Sequence, residues 1–178
     1  MSQARNQRSW LRFLLVPLSI IAHLAWGETL SGRVVGVADG DTVTVLDANH
    51  QQHKIRLSGI DAPEKSQAFG QRSKESMSAL VFGKEVKVQW NKHDRYRRIL
   101  GKVMVQPADC PTCPKTLDAG LAQVTMGLAW WYEKYAKEQT ADDAGRYAFA
   151  EREARAKRAG LWADQQPVAP WEFRRGQK

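Results

Sequence analysis

Four acidic residues and one arginine, Asp39, Asp41, Arg56, Asp61 and Glu64, fall in a short stretch of an otherwise basic chain. Carboxylates gathered in a protein of positive net charge repel one another unless a cation offsets them. Oxygen ligands suit a hard ion, and Ca²⁺ accepts irregular oxygen geometry more readily than Mg²⁺. A cation, a guanidinium and a free carboxylate are together the parts that phosphodiester hydrolysis needs. The first two stabilise charge as the pentacoordinate phosphorus forms. The third orients or deprotonates the attacking water.

That chemistry requires a scaffold that brings the residues to one rim. Asp39-Gly40 lies between the β-branched runs around Val34-Val35 and Thr42-Val43-Thr44-Val45, the pattern of a tight reversal between strands. A polar stretch from Asp47 to Gln52 separates the second run from Lys54-Ile55-Arg56-Leu57. An antiparallel pairing of Thr42–Leu46 with 54–57, turning near Asn49-His50, sets Asp41 opposite Ser58 or Gly59, with Asp61 on the same rim. Alternation places Arg56 on the face opposite Ile55 and Leu57, directed toward Asp41. Each residue also has a plain structural reading: an Asp-Gly turn, acids leading into a helix N-terminus, an arginine on a solvated strand face. Only their joint placement favours chemistry.

Two further strands are expected at 85–90 and 101–105, making five. Helices are expected at 66–81, 116–126 and 141–157. The last of these has Asp142 and Asp143 in its first turn and Arg155 and Lys157 near its end, the order that the helix dipole favours. The tail from about residue 163, with Pro167, Pro170 and Trp171, reads as extended and docked by its aromatics, or else frayed. The expected class is therefore α+β: a five-stranded barrel of the OB type with about three helices packed against it. Cys110 and Cys113 could form a disulfide clip, a redox pair or half a zinc site. No second Cys/His pair stands at metal spacing, and the clip is the expectation.

Residues 1–27 read as a cleaved signal peptide: Arg5, Arg8 and Arg12, an apolar run from Phe13 to Trp26, then small residues at Ala25 and Gly27. The run is too short and too interrupted for a membrane span, although an uncleaved N-terminal anchor is the alternative. Of the 178 residues, 43% are apolar and 26% charged, which excludes wholesale disorder and fibrous architecture. Lys and Arg total 27 against 19 acids, a net charge of +8, and the segment before Glu28 holds three arginines and no acid. The remaining 151 residues thus keep +5 and favour anionic partners. The chain is expected to form one domain over 28–178, to be periplasmic or secreted, and to work as a monomer without an obligate protein partner or stable membrane span.

Read in order, several motifs resemble the staphylococcal (micrococcal) nuclease family. They are Asp39-Gly40-Asp41-Thr42-Val43, Ile55-Arg56-Leu57, Ile60-Asp61-Ala62-Pro63-Glu64, Asp94-Arg95-Tyr96-Arg97-Arg98, Gly127-Leu128-Ala129-Trp130, Gly160-Leu161-Trp162 and Pro170-Trp171. The likeness runs from about Leu30 to Trp171. It implies an OB-fold barrel with three helices and Ca²⁺-dependent hydrolysis of DNA and RNA to 3′-phosphate and 5′-hydroxyl ends. By motif position, Asp41 and Asp61 would ligate Ca²⁺ with the backbone carbonyl of Ala62, and Asp39 would lie nearby. Arg56 would contact the scissile phosphate and Glu64 would be the general base or water-orienting group. Arg98 would be the second phosphate clamp, and Tyr96 would line the nucleotide pocket. The family pattern Tyr-Gly-Arg stands here as Tyr96-Arg97-Arg98, which leaves Arg97 as the competing clamp. The segment from Pro107 to Pro114 resembles an insertion. A non-catalytic OB-fold module that binds nucleic acid without cutting it is the alternative function.

Overall fold

A computed structural model describes residues 27–110 and 112–177. The expected signal peptide, apart from Gly27, lies outside the described residues. Strand β1 (Glu28–Val37) pairs antiparallel with β2 (Thr42–Leu46) and with β5 (Glu85–His93). Strand β2 pairs with β3 (Gln52–Leu57), and β5 with β6 (Ile99–Val105). Parallel pairing of β3 with β6, Ile55 opposite Ile99 and Leu57 opposite Gly101, closes the ring. The five expected strands form this barrel, in the order β3-β2-β1-β5-β6. Its interior is filled by alternate residues: Val34, Val43, Val45, Ile55, Leu57, Val86, Val88, Ile99, Val103 and Val105 are all buried. The period of two that marks the strands in sequence is thus the period at which side chains enter the core.

Short strand β4 (Ile60–Asp61) leaves the barrel and pairs with β8 (Trp130–Trp131), so that Asp61 lies opposite Trp130. Strand β7 (Leu117–Asp118) adds to the outer edge of β6. Helix α1 (Gly70–Val81) buries Ser73, Met77 and Val81. Helix α2 (Ala119–Thr125) is capped by Asp118, whose carboxylate accepts from the Gly120 and Leu121 N–H groups. Helix α3 (Ala141–Ala156) is capped by Thr140, which accepts from the Asp143 N–H. No helix among the described residues is long and apolar enough to cross a membrane.

The observed elements differ from the expected ones in four places. The hairpin register is one residue tighter: Thr42 faces Arg56, and the Leu57 N–H donates to the Asp41 carbonyl, so Asp41 lies beside Leu57. Helix α1 begins at Gly70 rather than Ser66. Phe69 takes φ 66°, and Gly70 sits so close under the Glu64 carbonyl that a Cβ would overlap it. Residues 117 and 118 extend the sheet before α2 can start, because Asp118 is needed as the cap. The tail is helical at α4 (Pro170–Gly176), where Pro170 opens the helix, Glu172 lies in its first turn, and Arg174 and Arg175 lie in its last.

Candidate active site

Arg56 projects from β3 to the barrel rim and is enclosed on several sides. One terminal nitrogen, Nη1, donates to the Leu57 carbonyl at 3.1 Å and the Ile60 carbonyl at 3.0 Å, and it lies 3.0 Å from Asp41 Oδ2. The other, Nη2, donates to Asp61 Oδ1 at 2.8 Å. The β2–β3 register carries Asp41 to this point and the β4–β8 pairing carries Asp61, which is fully buried. Asp41 is held further by the Ala62 N–H, which donates to its Oδ2 at 2.7 Å, and by the Thr42 hydroxyl at 3.0 Å. The structure therefore brings Asp41, Arg56 and Asp61 together. Asp39 stays at the turn, where its carboxylate accepts the Asp41 N–H at 3.0 Å.

Glu64 joins the rim through a residue that sequence reasoning missed. Arg174 of α4 donates from Nη1 to Glu64 Oε1 at 2.6 Å and from Nη2 to Asp61 Oδ2 at 2.7 Å. Hydrogen bonding to Asp61, with further support from Glu64, pushes the Arg174 guanidinium above its ordinary value, so it remains a cation. The helix reaches the rim because Trp171 stacks on Tyr132, with ring centroids 5.2 Å apart, and meets Trp130 edge-on. Tyr132 donates its N–H to the Gly59 carbonyl at 2.9 Å, and burial, with the Asp61 charge, pushes its hydroxyl above the ordinary value. A sequence signal did exist: Trp171 and Arg174 are three apart and so share a helix face, but only once the tail is helical.

The four acids do not converge as one cluster. Among the described residues no group of three or more His, Cys, Asp or Glu stands where it could hold a metal ion. Two guanidiniums already lie among the carboxylates, Arg56 between Asp41 and Asp61, and Arg174 between Asp61 and Glu64. Ala62 makes its contact with Asp41 through its N–H, not through a carbonyl directed at a shared ion. The donor set still fits a hard cation, because every candidate ligand atom is an oxygen. Burial pushes the Asp41 carboxyl up to about 7; Arg56 opposes this, while Asp39 and Asp61 add to it. Negative charge is thus incompletely offset at Asp41, the condition that a cation bound there would relieve.

Arg98 and Tyr96 lie on the hairpin between β5 and β6. Asp94 Oδ2 accepts from Arg98 Nε and lies 2.7 Å from Nη2, and both the Arg95 and Arg98 guanidiniums rest over the exposed Tyr96 ring. Burial alone would raise Asp94; the Arg98 N–H and guanidinium and the Tyr96 N–H outweigh it and hold the carboxyl below its usual range. Arg56 is paired with Leu100 across the parallel seam, and Arg98 lies immediately before β6 begins, with its guanidinium turned to Asp94 and Tyr96. Arg97 takes φ 64°, the conformation that a glycine would adopt freely, and is exposed.

Two supports are invisible in the linear text. Gln123 of α2, fully buried, donates from Nε2 to the Gly40 carbonyl at 3.1 Å and the Ser73 carbonyl at 2.8 Å. It also accepts from the Ser76 hydroxyl, tying the Asp39–Asp41 turn to α1 and α2. Gly40 permits this packing, since a Cβ there would overlap Ser73. Cys110 and Cys113 are joined by a disulfide on the loop between β6 and β7.

A closed five-stranded barrel with helices against it is the architecture of an OB-fold protein, and arginine and carboxylates share one of its rims. Residues 54–164 match the family described as staphylococcal nuclease homologue. A micrococcal nuclease of Shigella flexneri is 41% identical over 160 residues, 89% of this chain and 88% of that protein. An uncharacterized endonuclease of Haemophilus influenzae is 38% identical over 97% of this chain and 88% of its own length. The protein ParB of Escherichia coli is 40% identical over 88% of this chain and 85% of its own. The chain belongs to the staphylococcal nuclease family and is a nuclease of the hydrolase class.

Proposed function

We propose that the protein is a Ca²⁺-dependent endonuclease that hydrolyses both DNA and RNA and leaves 3′-phosphate and 5′-hydroxyl ends. The observation that carries this reading is Arg56 fixed between Asp41 and Asp61, with Glu64 at the same rim. Ca²⁺ held by Asp41 and Asp61 would supply Lewis-acid stabilisation of the phosphate oxygens. Arg56 presents a planar fork of donors, suited to charge developing on the phosphorane. Its carbonyl contacts with Leu57 and Ile60 fix the direction of that fork before substrate arrives, so little reorganisation remains at the moment of reaction. Glu64 takes a proton from the attacking water as the new P–O bond forms. As the P–O5′ bond breaks, the leaving oxygen takes a proton from solvent to give the 5′-hydroxyl, Glu64 returns its proton to solvent, and the phosphate stays on the 3′ oxygen. Arg98 is the second phosphate clamp and Tyr96 offers its exposed ring to a base. The position of Arg98 next to β6, whose Leu100 pairs with Arg56, supports this assignment, and the left-handed backbone of Arg97 disfavours the neighbouring arginine.

We extend the reading to domain organisation and export. Residues 28–178 form the working domain; strand β1 starts at Glu28, immediately after the expected cleavage point. A disulfide suits a periplasmic or secreted location, where thiols are oxidised. The protein acts alone, as a monomer.

The test is digestion of plasmid DNA and of RNA with Ca²⁺ or with a chelator, followed by end-group analysis. Ca²⁺-dependent cleavage is expected, with 5′ ends that a kinase labels without prior phosphatase treatment. Glu64→Ala should lose about 2–4 kcal/mol of transition-state stabilisation, the range for one preorganised group. Chelator-resistant cleavage, or 5′-phosphate ends, would overturn the reading.

A further inference from the structure

We propose that Arg174 is a tethered competitor of the metal ion: its guanidinium occupies the rim in the ion's stead, and α4 must lift away before the site can load. The inference rests on the reading of Asp61 as a ligand and concerns what controls access to it. Both Asp61 oxygens are engaged by guanidinium groups, Oδ1 by Arg56 with a longer contact to Arg174 at 3.3 Å, and Oδ2 by Arg174 at 2.7 Å. Glu64 Oε1 is bound to the same guanidinium at 2.6 Å. A divalent cation ligated by Asp61 would stand within a few ångströms of Arg174, and like charges at that separation repel strongly in a partly buried site. One of the two must leave, and Arg56 cannot do so easily, because two backbone carbonyls and Asp41 also hold it. Arg174 is the movable one. Its side chain is 42% exposed, and its helix has only seven residues, too few to be stable without docking.

That docking is local and separable from the barrel. Trp171 lies on Tyr132 and Trp130, the Val168 carbonyl accepts from Gln67 Nε2 at 2.6 Å, and Phe173 lines a cavity of about 150 Å³ with Pro63, Phe69 and Trp130. Undocking would release Asp61 Oδ2 and Glu64 Oε1 together, so one oxygen of the ligand and the base become free in one movement. The tail therefore keeps Asp61 and Glu64 paired at rest, and the ion exchanges with it.

Ca²⁺ binding to the full chain, measured by calorimetry, tests this directly. Arg174→Ala should raise affinity about 5- to 150-fold, the span of typical intramolecular coupling. Trp171→Ala keeps the arginine but removes its anchor, and should raise affinity in the same direction. Arg175→Ala, one residue along, should not. In the unmodified chain Ca²⁺ should speed tryptic cleavage after Arg174 and Arg175, because the helix is released. Unchanged or weaker Ca²⁺ affinity in both Arg174→Ala and Trp171→Ala, with no change in tryptic rate on adding Ca²⁺, overturns the competitor role and leaves the calcium reading standing. Absence of Ca²⁺ binding in every form overturns both.

Discussion

Removing the Arg56 side chain exposes the charge balance of the rim. Its guanidinium is 14% exposed, and the Asp41 and Asp61 side chains are 7% and 1% exposed. Truncating one partner of a buried ion pair costs about 3–5 kcal/mol, because an uncompensated charge remains. Asp61 keeps Arg174, so the loss falls mainly on Asp41 and should lie near the lower end, about 3 kcal/mol. The pH dependence fixes the mechanism. In the native protein burial raises Asp41 from 3.8 to about 7, so its contribution to stability is fully present below 3.8 and is lost as pH rises through 7. Arg56 is the influence that lowers this value, and without it the native carboxyl keeps its proton to still higher pH. At pH 5 both proteins carry a neutral Asp41, and the difference between them shrinks to the remaining contacts, about 1–2 kcal/mol. At pH 8 only the wild type has an ionised, paired carboxylate, and the gap widens. Urea unfolding of chelator-treated Arg56→Ala and wild type at the two pH values measures both numbers. Asp41→Asn in the Arg56→Ala background should recover much of the pH 8 loss. A deficit below about 1 kcal/mol at pH 8, or one equal at both pH values, would refute the reasoning.

Three other substitutions probe the supports. Tyr147→Phe removes the hydroxyl that donates to Asp118 Oδ2 at 2.9 Å inside the core; a loss of about 1–2 kcal/mol in urea unfolding is expected, with nuclease activity retained. Gln123→Leu removes the donor to the Gly40 carbonyl and the acceptor of the Ser76 hydroxyl, while the Ser73 carbonyl keeps its place in α1, and should cost about 1–3 kcal/mol. The same change should lower turnover by loosening the Asp39–Asp41 turn, and unaltered kinetics would detach that turn from function. Arg97→Gly relieves a positive φ that costs an ordinary residue about 1–2 kcal/mol, less the greater entropy of an unfolded glycine. A net gain near 0.5 kcal/mol is expected in thermal or urea unfolding, and a loss would mean that the Arg97 side chain makes a stabilising contact.

The barrel was readable because strand periodicity is a local property. Val43, Val45, Ile55 and Leu57 alternate with polar neighbours, and Asp39-Gly40 and the 47–52 stretch mark the reversals. The same alternation gave Arg56 its outward direction, and the hairpin alone brought it to Asp41. Element ends were less legible, because each is set by a partner distant in sequence. The Glu64 carbonyl pressing on Gly70 delays α1, and the pairing of Met104 with Asp118 keeps residues 117 and 118 in the sheet.

The amino-acid order by itself determined the family, the five strands and the identity of most rim residues, since these depend on side-chain type, on alternation and on motifs in a fixed succession. Tertiary structure alone decided how the rim's charge is balanced. Asp61 meets Arg174 across 113 positions because β4 pairs with β8 and a stack of aromatic rings carries α4 to the same place. Coulombic partners at that sequence distance leave no periodic trace. They are set by the closing of the chain on itself, and here that closure puts the Arg174 guanidinium between Asp61 and Glu64.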